Sequence, residues 1–139
     1  MMITEIASEV KSPQAVIEKA MRDILQKGFY DAVHLFSDEG LPLATASNTS
    51  GNGAPHSKDQ DSIAEMAILF QNVRRMAAAM ADITGLREVL IEGVNRRKVV
   101  FRFFKAFDQE VVLAVVVPAN KSYRKVTNEL EKLILDQSF

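Results

Sequence analysis

Val16, Ile17, Ala20, Ile24 and Leu25 recur three and four residues apart, the spacing that lines one face of an α-helix. Ser12 and Pro13 start this helix, a capping hydroxyl followed by proline at the first helical position, and Gly28 is placed to stop it. The period then changes. Val33, Leu35 and Phe36 mark a strand over Asp31–Ser37, Asp38-Glu39-Gly40 makes a turn, and Leu41–Ser47 returns as a second strand. Pro42 has no N–H to give to a ladder, which puts this second strand at a sheet edge.

The strongest periodic signal is a helix from Ile63 to Thr84, opened by a Ser62-x-x-Glu65 capping box and followed by Gly85. Met66, Leu69, Phe70, Val73, Met76, Ala77, Met80 and Ile83 spread over roughly half its circumference, against a usual core-facing stripe of ~100°. Ala64, Ala67, Ala78, Ala79 and Ala81 leave much of the rest low in bulk. One flank of such a helix covers its own sheet while another meets a second chain. Glu65, Asn72, Arg75 and Asp82 form its polar side, with Arg74 at the margin of the apolar arc, and Ile68 is an aliphatic among those polar residues, read as a contact.

Three strands follow in quick succession: Arg87–Gly93, then Arg97–Phe107 after a turn at Val94-Asn95-Arg96, then Glu110–Val117 after a turn at Asp108-Gln109, with Pro118 ending the last. In that last strand Val111, Leu113, Val115 and Val117 point one way, and Val112, Ala114 and Val116 the other. A strand apolar on both faces is central and covered on both sides. Asn120 or Ser122 then starts a final helix carrying Val126, Leu130, Leu133 and Ile134. The order α-β-β-α-β-β-β-α predicts a three-layer α/β/α sandwich around a five-stranded, mainly antiparallel sheet. A single domain over 12–137 is expected, with an amino-terminal tail at 1–11. The stretch Asn48–Gln60 has no aliphatic residue larger than alanine and reads as a long flexible connection.

Composition narrows the function classes. The 139 residues carry 17 basic and 18 acidic side chains, a net charge of −1, which gives no reason to expect a nucleic-acid partner. The absence of cysteine excludes disulfides, thiolate catalysis and Cys-ligated zinc. Met1–Lys11 lacks the basic start and long apolar run of a signal peptide, and the aliphatic run Val111–Val117 is far shorter than the ~20 residues that span a bilayer. A cytoplasmic protein without membrane insertion is the expectation.

No catalytic constellation stands out. His34, inside the first strand, reads as half-exposed, with no second group to act alongside it. His56 and Ser57 fall in the Asn48–Gln60 connection, a poor place to hold catalytic geometry. Gly51-Asn52-Gly53 lacks the glycine-lysine-serine run of a phosphate loop, and no ligand set for a metal or cofactor can be assembled. Arg96-Arg97-Lys98, with Arg102 and Lys105 beyond, reads as a solvated turn, and Phe101, Phe103 and Phe104 as core.

With that order laid out, the chain resembles the Roadblock family, named for dynein light chains. The likeness is carried by Leu35-Phe36-Ser37-Asp38-Glu39-Gly40-Leu41-Pro42-Leu43-Ala44, by the alanine-rich helix from Ala64 to Thr84, and by Leu86-Arg87-Glu88-Val89-Leu90-Ile91-Glu92-Gly93. It covers about Ser12 to Leu135, and the length of Asn48–Gln60 departs from it. The resemblance implies a non-enzymatic homodimer that serves as a regulator or scaffold for a Ras-like small GTPase, or as a motor or filament adaptor. It assigns strand pairing between copies to Arg87–Gly93, through Val89 and Ile91, and helix contact to Met66, Leu69, Val73, Met76 and Met80. Partner contact is expected on the outward side of the paired helices, through Glu65, Ile68, Asn72 and Arg75. A small-molecule sensor is the alternative; it needs inward-facing polar groups, which Val99, Phe101, Val111, Leu113 and Val115 do not offer.

Overall fold

The computed structural model describes residues 12–48 and 57–137. Its elements are α1 (Pro13–Gln26), β1 (Ala32–Ser37), β2 (Pro42–Ser47), α2 (Ser57–Ala77), β3 (Glu88–Glu92), β4 (Lys98–Ala106), β5 (Gln109–Val117) and α3 (Arg124–Asp136). The strands form one antiparallel sheet in the order β2-β1-β5-β4-β3. The doubly apolar β5 is central, and the proline-bearing β2 is an edge, as the sequence requires.

Alternation along the central strands builds two cores. Val33, Leu35, Val100, Val111, Leu113, Val115 and Val117 face α1 and α3, where they meet Ile17, Met21, Leu25, Leu130 and Ile134. Phe36, Phe101, Phe103, Val112 and Ala114 face α2, where they meet Ile63 and Ala67. The result is the expected three-layer α/β/α arrangement.

Local signals explain the ends of α1. The Ser12 Oγ accepts from the Ala15 N–H at 3.1 Å, and Gly28 takes φ +85° just beyond the helix. In the first hairpin Gly40 takes φ +84°, its N–H donates to the Ser37 carbonyl at 3.0 Å, and Ser37 Oγ accepts from the Glu39 and Leu41 N–H groups. A Cβ built on Gly40 would stand 2.7 Å from Cδ1 of Ile68, so the backbone favours glycine here and a larger residue must push the Ile68 tip aside.

The chain departs from its sequence-based boundaries at four places. First, α2 begins at Ser57, not at the Ser62 capping box, so Ser57–Gln60 belong to the helix and not to the connection. Residues 49–56 and the tail at 1–11 lie outside the described residues, and with them His56 and the Gly51-Asn52-Gly53 run. Second, α2 stops at Ala77. The N–H groups of Ala79 and Met80 bond three residues back, and Ala81 and Asp82 then take φ +47° and +58°, so Met80, Asp82 and Ile83 leave the helix. Third, the β4–β5 turn is Phe107-Asp108, one residue earlier than expected; φ values of +56° and +59° match a two-residue type I′ hairpin. Fourth, α3 begins at Arg124 after Tyr123, and neither Asn120 nor Ser122 caps it.

Candidate interaction surface

Helix geometry sorts the predicted contact residues of α2. Ile63, Ala67, Phe70, Arg74 and Ala77 succeed one another at three- and four-residue steps and, at about 100° per residue, form the stripe over the sheet. Phe70 meets Phe101 edge-on with centroids 4.9 Å apart. Arg74, expected at the margin, lies inside this stripe: its guanidinium sits 5.2 Å from the Phe103 centroid and pairs with Glu110 at 3.0 Å.

The two sets of predicted residues separate around the helix. Met66, Leu69, Val73 and Met76 lie on the flank toward β3, where Met66 joins Val89 and Leu86 around the α2-side core. Leu69 and Met76 are 57% and 64% exposed, as is Met80 beyond the helix end at 57%. Ile91 on β3 is 38% exposed. Glu65 and Asn72 crown the helix. Ile68 and Arg75 lie on the other flank, toward the β1–β2 turn, where Ile68 covers Gly40 and remains 46% exposed. Arg75 donates to the Asn72 side chain at 2.8 Å, so these two act together.

The sheet edges differ in the same direction. Along β2, α1 packs against the strand, Pro42 contributes no donor, and the Thr45 N–H donates to the Glu18 carboxylate at 3.0 Å. That edge is closed. Strand β3 pairs with β4 from Glu88↔Arg102 to Glu92↔Lys98, and among the described residues nothing pairs with its other side. An unpaired edge with an apolar helix flank beside it is a template for a further strand.

Two polar side chains are buried where solvent-facing positions were expected. His34 is 3% exposed, not half-exposed; its Nδ1 lies 2.6 Å from Thr45 Oγ1, and burial pushes its pKa down to about 4, so the ring is neutral. A cavity of about 370 Å³, lined in part by Asp31, His34, Ser47, Asn48 and Arg97, opens beside it, so the α2-side layer does hold an inward polar group.

Arg102, expected at a solvated turn, is 3% exposed. Its Nε and Nη2 donate to Glu88 Oε1 at 3.0 and 2.8 Å, and its Nη1 donates to Asn128 Oδ1 at 2.7 Å and to Glu131 Oε1 at 3.3 Å. The Tyr123 hydroxyl donates to Glu88 Oε2 at 2.8 Å. Burial alone would raise the Glu88 carboxyl, but the hydrogen bonds from Tyr123 and Arg102 hold it below the usual range. The sequence carried the signal for this: Arg102 is in phase with Val100, Phe104 and Ala106 on a strand with apolar residues on both faces. Of the basic turn itself, Arg97 pairs with Asp31 at 2.7 Å and Arg96 with Glu92 at 3.5 Å.

Among the described residues no group of three His, Asp or Glu side chains is placed to hold a metal ion, and no helix is long and apolar enough to cross a membrane. The surface offers packing and charge.

No family model matches the sequence, and no curated protein is detectably similar to it. Solved structures are similar in fold. An MglB with a tetrameric arrangement shares 13% identity over 92% of this chain and 89% of its own, with a TM-score of 0.69. A Roadblock/LC7 domain from Streptomyces avermitilis shares 17% identity over 84% of this chain and 90% of its own, at 0.63. Myxococcus xanthus MglB shares 18% identity over 90% and 83%, at 0.62.

Proposed function

We propose that this chain is a homodimeric regulator or scaffold, without turnover of its own, that binds a Ras-like small GTPase in the cytoplasm. The observation that carries the assembly is the asymmetry of the two sheet edges: β2 is closed by Glu18, Pro42 and α1, while β3 is bare beside Leu69, Val73 and Met76. A two-fold axis at β3 pairs both strand edges and covers both helix flanks at once, since an isologous contact satisfies the same patch twice. Light scattering at micromolar concentration then gives twice the chain mass. Val73→Glu leaves a monomer, because burying an unpaired carboxylate costs several kcal/mol. A wild-type monomer at high concentration refutes the assembly.

The partner class is supported by the Roadblock-type fold and the resemblance that led to it. The partner surface is the crown and outer flank of α2: Glu65 and Asn72, with Ile68 and the Arg75–Asn72 pair. This is the side of the helix that a dimer through β3 leaves open. One aliphatic set among polar groups gives the small apolar centre and polar rim of a transient contact. The test is a pull-down from native extract with wild type and with Ile68→Asp plus Arg75→Glu. Wild type recovers a small GTPase in one nucleotide state and the double variant does not. Failure of wild type with both nucleotide states refutes the partner class; normal binding by a dimeric double variant refutes the surface.

A further inference from the structure

Arg102 joins three elements that are far apart in sequence. It stands on β4 directly across from Glu88, the first residue of β3, and it also reaches Asn128 and Glu131, neighbours one turn apart on α3. Tyr123, at the start of α3, holds the other Glu88 oxygen. Arg87 adds a second cation to Glu131 at 3.6 Å. The guanidinium thus fastens one end of β3 to a helix on the sheet face opposite α2.

Burying a charged group in this way is a poor route to stability, because desolvation consumes most of the Coulomb gain. What a forked donor does provide is geometry: its N–H directions are fixed and match carboxylate oxygens in one arrangement. Strand β3 is five residues long and pairs among the described residues with β4, so its twist and height over the sheet rest on that ladder, on Val89 in the α2-side core and on the Arg102 group. Its other end runs into the Gly93–Arg97 turn, where the Gly93 N–H donates to the Arg97 carbonyl at 2.9 Å.

We propose that Arg102 is a positioning residue for self-association: by holding Glu88 against Asn128 and Glu131 it fixes β3 at the pitch in which its free edge accepts a second copy of this chain. This rests on the reading of β3 as the pairing strand. It predicts that removing the guanidinium leaves the fold in place and loosens β3 alone.

The experiment compares Arg102→Met and Arg102→Lys with wild type by sedimentation, and repeats Arg102→Met in the Val73→Glu background, where loss of the dimer cannot itself expose the strand. Arg102→Met raises the dimer dissociation constant at least tenfold. In the monomeric background it speeds amide exchange at Val89 and Ile91, whose N–H groups face β4, at least tenfold, with β1 and β5 amides unchanged. Arg102→Lys keeps the charge, loses the fork and recovers only part of the affinity. A dimer constant within twofold of wild type for Arg102→Met, or exchange that rises equally across all strands, overturns the proposal while leaving a wild-type dimer standing. A monomeric wild type overturns it together with the reading of β3. If Arg102→Met does not fold, Glu88→Gln supplies the same two measurements: a threefold or larger rise in both supports the clamp, and no change in either overturns it.

Discussion

Gly40→Ala is the sharpest test of how the first hairpin and α2 hold each other. Glycine sits at φ +84°, and an alanine held there costs about 1–2 kcal/mol. The added Cβ meets Cδ1 of Ile68 at 2.7 Å and Cγ1 at 3.1 Å. Ile68 is half-exposed and its tip can turn away, at about 1 kcal/mol for leaving its rotamer well. Against these, alanine restricts the unfolded chain and returns about 0.7 kcal/mol. The net loss is about 2 kcal/mol, read as a lower midpoint in urea at unchanged slope. A double-mutant cycle separates the two terms. In an Ile68→Ala background the steric part vanishes, so Gly40→Ala then costs about 1 kcal/mol, all of it backbone. Gly40→Asn, which tolerates the left-handed region, falls below Gly40→Ala in cost. A Gly40→Ala as stable as wild type, or a cost identical with and without the Ile68 side chain, refutes the account. The cycle also bears on the pull-down, since Ile68 is both a strut over the turn and the proposed partner contact.

Further outcomes follow from three buried or edge-sealing polar groups. His34 has its pKa pushed down by burial to about 4 from 6.5, so its contribution is complete above pH 6.5 and is lost as pH falls from there to 4, by up to about 3 kcal/mol; urea melts of wild type and His34→Leu across that window test it, and parallel curves refute it. Tyr30 is fully buried with its hydroxyl 2.6 Å from Thr127 Oγ1, so Tyr30→Phe costs about 1–3 kcal/mol by orphaning the threonine. Burial raises the Tyr30 pKa to about 12, so wild type loses stability more steeply as pH climbs from 10 toward 12 than Tyr30→Phe, in which of these two raised phenols Tyr123 alone remains; equal alkaline slopes refute this. Glu18→Ala frees the Thr45 N–H on the β2 edge and adds species larger than those of wild type in light scattering, whereas an unchanged mass distribution shows that Pro42 and α1 close the edge alone.

The order of elements was legible because each periodic stretch carries its own terminator: Ser12 and Gly28 for α1, Gly40 for the first turn, Pro118 for β5. The ends of α2 were not. Its first turn, Ser57–Gln60, has no apolar position to announce it. Its alanine-rich end has the highest helix propensity in the chain, yet Ala78–Ala81 turn away and Ala81 takes φ +47°. Tertiary placement outweighed propensity there, because the chain must leave the helix to deliver Leu86 and Val89 to the α2-side core. The type I′ turn was misplaced by one residue for a related reason: Phe107 is an unusual residue for a positive φ, and it is held there by packing against the α1-side core.

The division of α2 into two flanks needed the sheet as well as the helix. Periodicity alone gave a wide apolar arc with Ile68 stranded on the polar side. Once the stripe of Ile63, Ala67, Phe70 and Ala77 is fixed on the sheet, the rest of the arc can only face β3, and Ile68 can only face the β1–β2 turn. Burial of Arg102 was hidden for a different reason. Its partners are Glu88, Asn128 and Glu131, and no local spacing announces that a cation will find two carboxylates and an amide from two other elements. The alternation did place it on an inward face. An inward arginine on a strand covered on both sides is either a folding liability or a fixed joint, and full hydrogen bonding by Glu88, Asn128 and Glu131 makes it a joint. That joint lies at the root of the strand whose outer edge is open among the described residues, so the side chain that the sequence made look like surface charge is the one on which the proposed pairing with a second copy is tested.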